Sequence, residues 1–288
     1  MDAQMRERLA RLMAADHGSD LTPEEAERRN AERYNRAVGR LNEEDGYNCD
    51  VCKNKGYVAT VYRNEQFGYY TTALVPCKCQ RVRKALGRLA RSGLKNTVKA
   101  YSFDRYEIPN EWQAKLKSRA MQFCKDQEHG WWFMGGQSGC GKTHLCTAIT
   151  VHFIRDGRDT RYMPWRDSSA KIKAVANDGD AYAQLMHGLK TVPVLYIDDL
   201  FKGGRDRDGK PAPPTEADIK IAFEIINYRY NNPDLVTIIS SEKSIAQIGA
   251  IDEAIAWRIA ERAKAGGYCF NIKHDPARNW RMKDIEEV

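Results

Sequence analysis

The sequence predicts an α/β protein: a parallel sheet flanked by helices, preceded by a small β-hairpin segment and an N-terminal helix. Three observations predict it. From about residue 100 onward, short apolar runs alternate with helical patterns, as in a layered α/β domain. One of these runs opens onto Gly136-Gln137-Ser138-Gly139-Cys140-Gly141-Lys142-Thr143, a G-x-x-x-x-G-K-T octet. Ahead of it, residues 46–80 hold four of the eight cysteines around two β-rich stretches.

Four regions follow in order: 1–45, 46–80, 81–99 and 100–288. Residues 1–45 are polar and helix-prone. Thr22-Pro23-Glu24-Glu25 reads as a helix start, with Thr at the N-cap, Pro at the first helical position and Glu three after the cap. The helix runs through Ala26, Ala31, Tyr34 and Val38. With so few apolar residues it needs another element, or a partner, to pack on.

In 46–80, Cys49-x-x-Cys52 and Cys77-x-Cys79 bracket a predicted hairpin. Its strands are Tyr57–Tyr62 and Tyr69–Val75, rich in β-branched and aromatic residues, with a turn at Asn64–Gly68. Both cysteine pairs are centred near residue 64, so a hairpin turning there brings them together at its open end. Four thiolates meeting in this way suit tetrahedral Zn²⁺ in a closed structural site. The alternative is four ordinary reduced thiols. Cys124, Cys140, Cys146 and Cys269 stand apart and read as small core or loop residues.

In 81–99, Arg81, Lys84, Arg88, Arg91 and Lys95 recur at spacings of three and four, with Val82, Leu86 and Leu89 on another face. That is an amphipathic helix with a cationic stripe. It can meet phosphates or simply face solvent.

Within 100–288, strands are predicted at 131–134, 160–163, 193–198, 235–240 and 268–273. Residues 202–214, rich in Gly and Pro, read as a mobile loop. Thr215 or Asp218 caps the next helix, which carries Ile219, Phe223, Ile226 and Tyr230 at helical spacing.

The octet has the strand–loop–helix context that a phosphate-binding loop needs. Glycines let successive N–H groups turn inward on an anion, and the following helix adds its dipole. Lys142 is placed to reach the β- and γ-phosphates, Thr143 to ligate Mg²⁺, and His144 to extend the nucleotide contact. Val194–Asp199 is a buried strand ending in two carboxylates, where α/β sheets place ligand sites. Asp198 is expected to hold Mg²⁺, and Asp199 to polarise the attacking water. The strand at 235–239 ends in Ser240-Ser241-Glu242, whose Ser241 or Glu242 could sense the γ-phosphate from between the two earlier strands. Arg258 reads equally as a surface arginine or as one reaching a neighbouring subunit.

Composition narrows the class. Charged residues make up 30% of the 288, and mean hydropathy is −0.66. No apolar run approaches the ~20 residues that span a bilayer, and the start lacks the apolar core of a signal peptide. A cytoplasmic location without membrane partner is expected, where cysteines favour metal over disulfides. The net charge of +7 suits an anionic partner such as nucleic acid without requiring one.

Together these residues resemble the AAA+ ATPases of helicase loading, the DnaC/DnaI type. The resemblance covers about residues 46–283. It rests on the two cysteine pairs, Arg91–Leu94, Tyr101–Asp104, the octet, Tyr196–Leu200, Ile239–Glu242, Arg258 with Glu261, and Asn279-Trp280-Arg281. It implies an ATP-bound loader that places the replicative DNA helicase on single-stranded DNA. It also implies a homo-oligomer hydrolysing ATP with Mg²⁺ at a subunit interface, where Arg258 acts as arginine finger. The N-terminal and zinc regions then contact helicase, Tyr101–Tyr106 lies near the base, and Lys171 and Lys173 line a DNA path. The chain departs from the family pattern at Glu242, where Asn is usual, at Asp199, where Glu is commoner, and at Trp257, where a small residue is usual. Two alternatives stand beside this reading: a transposition helper ATPase of the IstB type, and a nucleotide-gated DNA-binding adaptor with little hydrolysis.

Overall fold

The computed structural model describes residues 21–91, 100–126, 128–204 and 212–280. They form two compact units, one ending at Gln80 and the other beginning at Arg81.

The first unit opens with helix α1, Pro23–Arg36, closed at its N-terminus by the expected capping box between Thr22 and Glu25. A short helix α2, Leu41–Asp45, follows. Strands β1, Tyr57–Arg63, and β2, Tyr70–Pro76, pair antiparallel, Tyr57 opposite Pro76 and Arg63 opposite Tyr70. Helix α1 solves its shortage of apolar residues with polar bonds. Asn35 accepts from the Ala59 N–H and donates to the Ala59 carbonyl, both at 2.9 Å, which extends the β1 ladder by one side chain. Thr72 donates to Glu27 from β2. Ala31 is the helix's one buried residue.

The hairpin axis lies closer to the C-terminus than the cysteine spacing suggested. Residues 49–55 fold back as a tight knuckle, with Lys53 and Asn54 at φ of 48° and 65°, instead of continuing β1. The ladder therefore closes on Gly56 and Cys77, whose N–H donates to the Gly56 carbonyl at 2.8 Å.

Helix α3, Cys79–Leu89, begins the basic stretch. Val82, Leu86 and Leu89 are buried, while Arg81, Lys84 and Arg88 are exposed, as the periodicity required. Lys95 lies outside the described residues.

The second unit is a five-stranded parallel sheet in the order β4-β5-β6-β3-β7. Its elements are α4 (Glu111–Phe123), β3 (Trp131–Gly136), α5 (Lys142–Arg155), β4 (Thr160–Pro164), α6 (Trp165–Ala174), α7 (Gly179–Thr191), β5 (Val194–Asp198), α8 (Glu216–Tyr230), β6 (Val236–Ser241), α9 (Ile245–Gly249), α10 (Glu253–Ala265) and β7 (Cys269–Ile272). Both faces are covered, so the strands read as continuous apolar runs. Trp131 and Phe133 of β3, Leu195 and Ile197 of β5, and Ile239 of β6 pack with residues of α6 to α10. Trp132, Met134, Val194, Tyr196 and Ile238 point the other way, into α4 and α5. Each predicted strand matches an observed one within two residues at either end.

Two expectations need correction. The residues of α8 that face the core are Ile221, Ala222, Ile225 and Ile226. Ile219 and Tyr230 only flank it, and Phe223 is exposed. Two overlapping stripes of α8 are apolar at helical spacing, and periodicity alone does not choose between them. Lys202, read as part of a mobile loop, is instead held by two ion pairs; residues 205–211 of that loop lie outside the described residues. Thr215 and Asp218 together form the N-terminal capping box of α8.

Candidate functional site

Strand order decides what meets at the C-terminal edge of the sheet. β6 lies between β3 and β5, so the octet after β3, the carboxylates after β5 and the serines ending β6 become neighbours. Gly136 has φ of 113°, and a Cβ there would stand 2.1 Å from the Ile272 carbonyl oxygen. Gly141, at φ of 90°, caps α5, and a Cβ there would press on the Tyr106 ring at 3.0 Å. Both positions therefore require glycine.

A cavity of about 270 Å³ opens over the loop. It is lined by Ser138, Gly139, Cys140, Gly141, Lys142, Thr143 and His144, and across from them by Asp199, Lys202 and Glu242. Lys142 is buried and donates to the Gly136 and Gln137 carbonyls at 2.8 and 2.6 Å. The Cys140 thiol donates to the Gln137 carbonyl, and burial pushes its pKa up, which suits a loop-shaping residue.

Asp198 is buried behind this wall. Its Oδ1 accepts from the Tyr196 and Ser240 hydroxyls at 2.6 and 2.5 Å, and its Oδ2 from the Tyr162 hydroxyl at 2.8 Å. A carboxylate offers about four acceptor positions, so Oδ2 keeps one, which fits a role in holding a hydrated Mg²⁺ with Thr143. Burial, then the Asp198 charge, drives the Tyr196 phenol well above its ordinary range, so it donates at any physiological pH.

The two candidates at the end of β6 separate clearly. Ser241 is fully buried, donating to the Leu200 carbonyl at 2.8 Å and accepting from the Lys243 N–H. Glu242 lines the cavity and pairs with Lys202 at 2.9 Å. Burial works against its charge, but Lys202, then Lys142 and the Ser138 hydroxyl outweigh it and lower its pKa.

The other end of the cavity is aromatic. Tyr101 stacks on His144 at 4.6 Å, and Tyr106 meets the same ring edge-on at 5.2 Å. His144 Nε2 lies 2.8 Å from the Ser102 carbonyl, so that nitrogen carries the proton. Burial, opposed by this bond, lowers the ring's pKa and keeps it neutral near pH 7. The C-terminal segment seals the loop: Trp280 N–H donates to the Gly139 carbonyl at 2.9 Å and Asp275 N–H to Gln137 Oε1 at 2.7 Å.

Several lining residues escaped the sequence reading: Arg105, Trp112, Gln113, Lys202 and Arg278. Trp112, Gln113 and Arg278 carry no motif and reach the site only through tertiary structure, whereas Arg105 lies within the Tyr101–Tyr106 stretch and Lys202 follows Asp199 by a local turn. Arg281 lies outside the described residues. Lys173 is paired with Asp218 at 2.8 Å.

Arg258 does not line this cavity. It extends from α10 over α8, with Nε on Asn227 Oδ1 at 3.0 Å, Nη1 on the Ala254 carbonyl at 2.9 Å, and its guanidinium 5.2 Å from the Phe223 ring centre. Its neighbour Trp257 is 68% exposed.

In the first unit, Cys49, Cys52, Cys77 and Cys79 are buried with their four sulfurs within 4.8 Å of one another. Cys49 and Cys77 are 3.8 Å apart, Cys52 and Cys79 3.5 Å. A tetrahedron with Zn–S bonds of about 2.3 Å has edges of about 3.8 Å, so the sulfurs fit that ion. Burial opposes ionisation of Cys52, but the Gly56 N–H, at 3.2 Å from its sulfur, and the neighbouring thiols bring its pKa down to about 7.

A family model described as IstB-like ATP binding protein matches residues 75–282. The uncharacterized protein YqaM of Bacillus subtilis is 30% identical over 225 residues, 73% of this chain and 67% of YqaM. XkdC of the phage-like element PBSX, from the same organism, is 29% identical over 224 residues, 75% of this chain and 79% of XkdC. The replicative helicase loader DnaC of Escherichia coli is 28% identical over 113 residues, 38% of this chain and 46% of DnaC, so that match spans about half of DnaC.

Proposed function

The chain belongs to the IstB-like ATP binding protein family, and on that premise we propose that it is an ATP-hydrolysing loader of a replicative DNA helicase onto single-stranded DNA. One observation carries the ATPase part: the phosphate loop, Asp199 and Glu242 line a single cavity, with Asp198 anchored directly behind it. The loop N–H groups and Lys142 bind the polyphosphate. Thr143 and Asp198 are the residues that would hold Mg²⁺, which would supply positive charge against the transferred phosphoryl group. Asp199 orients the attacking water and accepts its proton. Glu242, not the buried Ser241, faces the γ-phosphate. The Tyr101–His144–Tyr106 cluster receives the base.

Arg258 does not line its own chain's cavity and stands beside an exposed tryptophan. This supports a finger acting on a neighbouring subunit, in a homo-oligomer assembled by ATP. Zn²⁺ on the four cysteines fixes the first unit, which we assign to helicase contact. The four-cysteine unit ahead of an ATPase unit, together with a relative named replicative helicase loader, supports a loader over the second reading. That second reading, a transposition helper, is favoured by the IstB-like family description.

Size exclusion of the chain with its cognate replicative helicase, with ATP and with a Lys142→Ala control, tests this. Co-elution with the helicase is expected, and nucleotide dependence lost in the control. A complex with a transposase and none with helicase would replace the loader by the helper.

A further inference from the structure

We infer that Lys202 is a second phosphate-facing cation of the site, held between Asp199 and Glu242 until a nucleoside triphosphate draws it onto the terminal phosphate. This rests on the reading that the cavity binds a nucleoside triphosphate, and it adds a residue that determines triphosphate over diphosphate.

Geometry comes first. Lys202 Nζ is 2.8 Å from Asp199 Oδ2 and 2.9 Å from Glu242 Oε1, and all three side chains line the cavity opposite Gly139 and Lys142. One ammonium therefore joins the residue placed to orient water and the residue placed to face the γ-phosphate.

The backbone that presents Lys202 is strained and clamped. Asp199 and Phe201 both have positive φ, 57° and 61°, in a region that residues with a Cβ seldom adopt. Such conformations persist where the surroundings impose them, and they gather at functional sites. Here the clamps are visible. Leu200 is buried, its N–H donates to the Ser240 carbonyl at 2.9 Å, and its carbonyl accepts from Ser241. Asp199 N–H donates to Ser240 Oγ at 3.0 Å. Phe201 is buried with its ring 5.4 Å from that of Trp165. The Lys202 N–H then closes the turn on the Asp199 carbonyl at 2.9 Å. The two central residues of the turn, Leu200 and Phe201, anchor in the core, so Asp199 and Lys202 on either side of them emerge together on the cavity side.

Charge supplies the reason. Lys142 is engaged by two loop carbonyls. Without Lys202, a bound triphosphate would face two uncompensated carboxylates across the cavity, and like charges in a partly enclosed site repel strongly. Lys202 offsets Glu242. The same pairing can also act as a latch. While Lys202 rests on Asp199, that carboxylate is occupied; when the terminal phosphate takes the ammonium, Asp199 is released to orient water. A diphosphate presents no terminal group at this position and leaves the latch closed.

The test measures binding of a non-hydrolysable ATP analogue and of ADP to the full chain. It uses wild type, Lys202→Met, Lys202→Arg and the double variant Lys202→Met/Glu242→Gln. A lost charge-assisted bond predicts that Lys202→Met weakens the analogue about tenfold or more and ADP far less. Lys202→Arg should keep most of the preference for the analogue. Removing the stranded carboxylate in the double variant should recover only part of the lost affinity, because the bond to the terminal phosphate stays missing. Equal weakening of both nucleotides, or full recovery in the double variant, which would leave Lys202 only a counter-ion to Glu242, would overturn the role of Lys202 while leaving the site intact. Failure of the wild type to bind either nucleotide would overturn the nucleotide reading and this inference with it.

Discussion

Arg229 shows what a single buried side chain can organise. It is fully buried on α8. Its guanidinium makes five hydrogen bonds: Nε to Thr237 Oγ1, Nη1 to the Leu189, Lys190 and Val192 carbonyls, and Nη2 to the Val236 carbonyl. Burial pulls its pKa down to about 9, which reflects the cost of taking a cation out of water. The fork offsets that cost by satisfying the carbonyls that end α7 and lead into β5. Arg229→Met should destabilise the sheet unit by about 3–5 kcal/mol, because buried carbonyls lose their donors. Arg229→Lys should recover little, since one ammonium cannot reproduce a planar fork. Denaturant unfolding of the three proteins checks this, and equal midpoints would refute it. None of this was legible in the sequence, where no motif or spacing singles out Arg229. Lys202 was hidden for a similar reason: among glycines, prolines and charges it read as loop. Residues inside a motif, such as Lys142 and Asp199, were legible because the chemistry fixes their spacing. Residues that reach the site by tertiary approach carry no such mark.

At the scale of elements, the strands were legible because both faces of the sheet are buried and each strand is a short unbroken apolar run. The cysteine knuckle was legible in composition but not in register, since spacing does not reveal that residues 49–55 turn back on themselves. The junctions between elements were the least visible, and Asp126, between α4 and β3, is one of them. It accepts from the Tyr268 hydroxyl at 2.8 Å, from the Glu128 and His129 N–H groups at 2.9 and 3.0 Å, and lies 3.1 Å from the His129 ring. It thus ties the end of α4 to the residue that precedes β7. Burial works against its charge, but these bonds outweigh it and bring its pKa to about 2. The folded value lies below the unfolded one of about 3.9. The stabilisation is therefore fully present above the unfolded value and is lost as pH falls toward 2. It amounts to about 2 kcal/mol at neutral pH. Asp126→Asn should lower the unfolding midpoint of the sheet unit at pH 7 and flatten its decline between pH 5 and 2. An acid limb as steep as that of the wild type would show that other carboxylates set it.

At the scale of the whole molecule, the two units ask for different stabilising agents. The sheet unit has an extensive apolar core on both faces. The first unit relies on polar bonds between α1 and the hairpin and on a cluster of four buried cysteines. With so little core among its described residues, the first unit depends on a staple. Metal analysis should find one zinc per chain. Chelation should unfold the first unit, seen as loss of amide protection in residues 21–80, while ATP binding in the second unit persists; protection unchanged after zinc removal would make the cysteines ordinary thiols. The assembly poses the larger question. Arg258 lies outside its own cavity and beside the exposed Trp257, which is the placement a residue serving a neighbour requires. An arginine supplied across an interface raises phosphoryl-transfer rates about 10³–10⁵-fold, so Arg258→Ala should abolish most hydrolysis while leaving ATP affinity nearly unchanged. Mixing supplies the decisive comparison. Arg258→Ala subunits keep an intact Lys142 site and lack the finger; Lys142→Ala subunits keep the finger and lack the site. If hydrolysis occurs between subunits, the mixture should regain part of the wild-type rate, because some interfaces then pair an intact site with an intact arginine. A mixture no more active than its components, from subunits that still associate, would return Arg258 to the role its bonds to Asn227 and Ala254 already describe, a brace between α10 and α8.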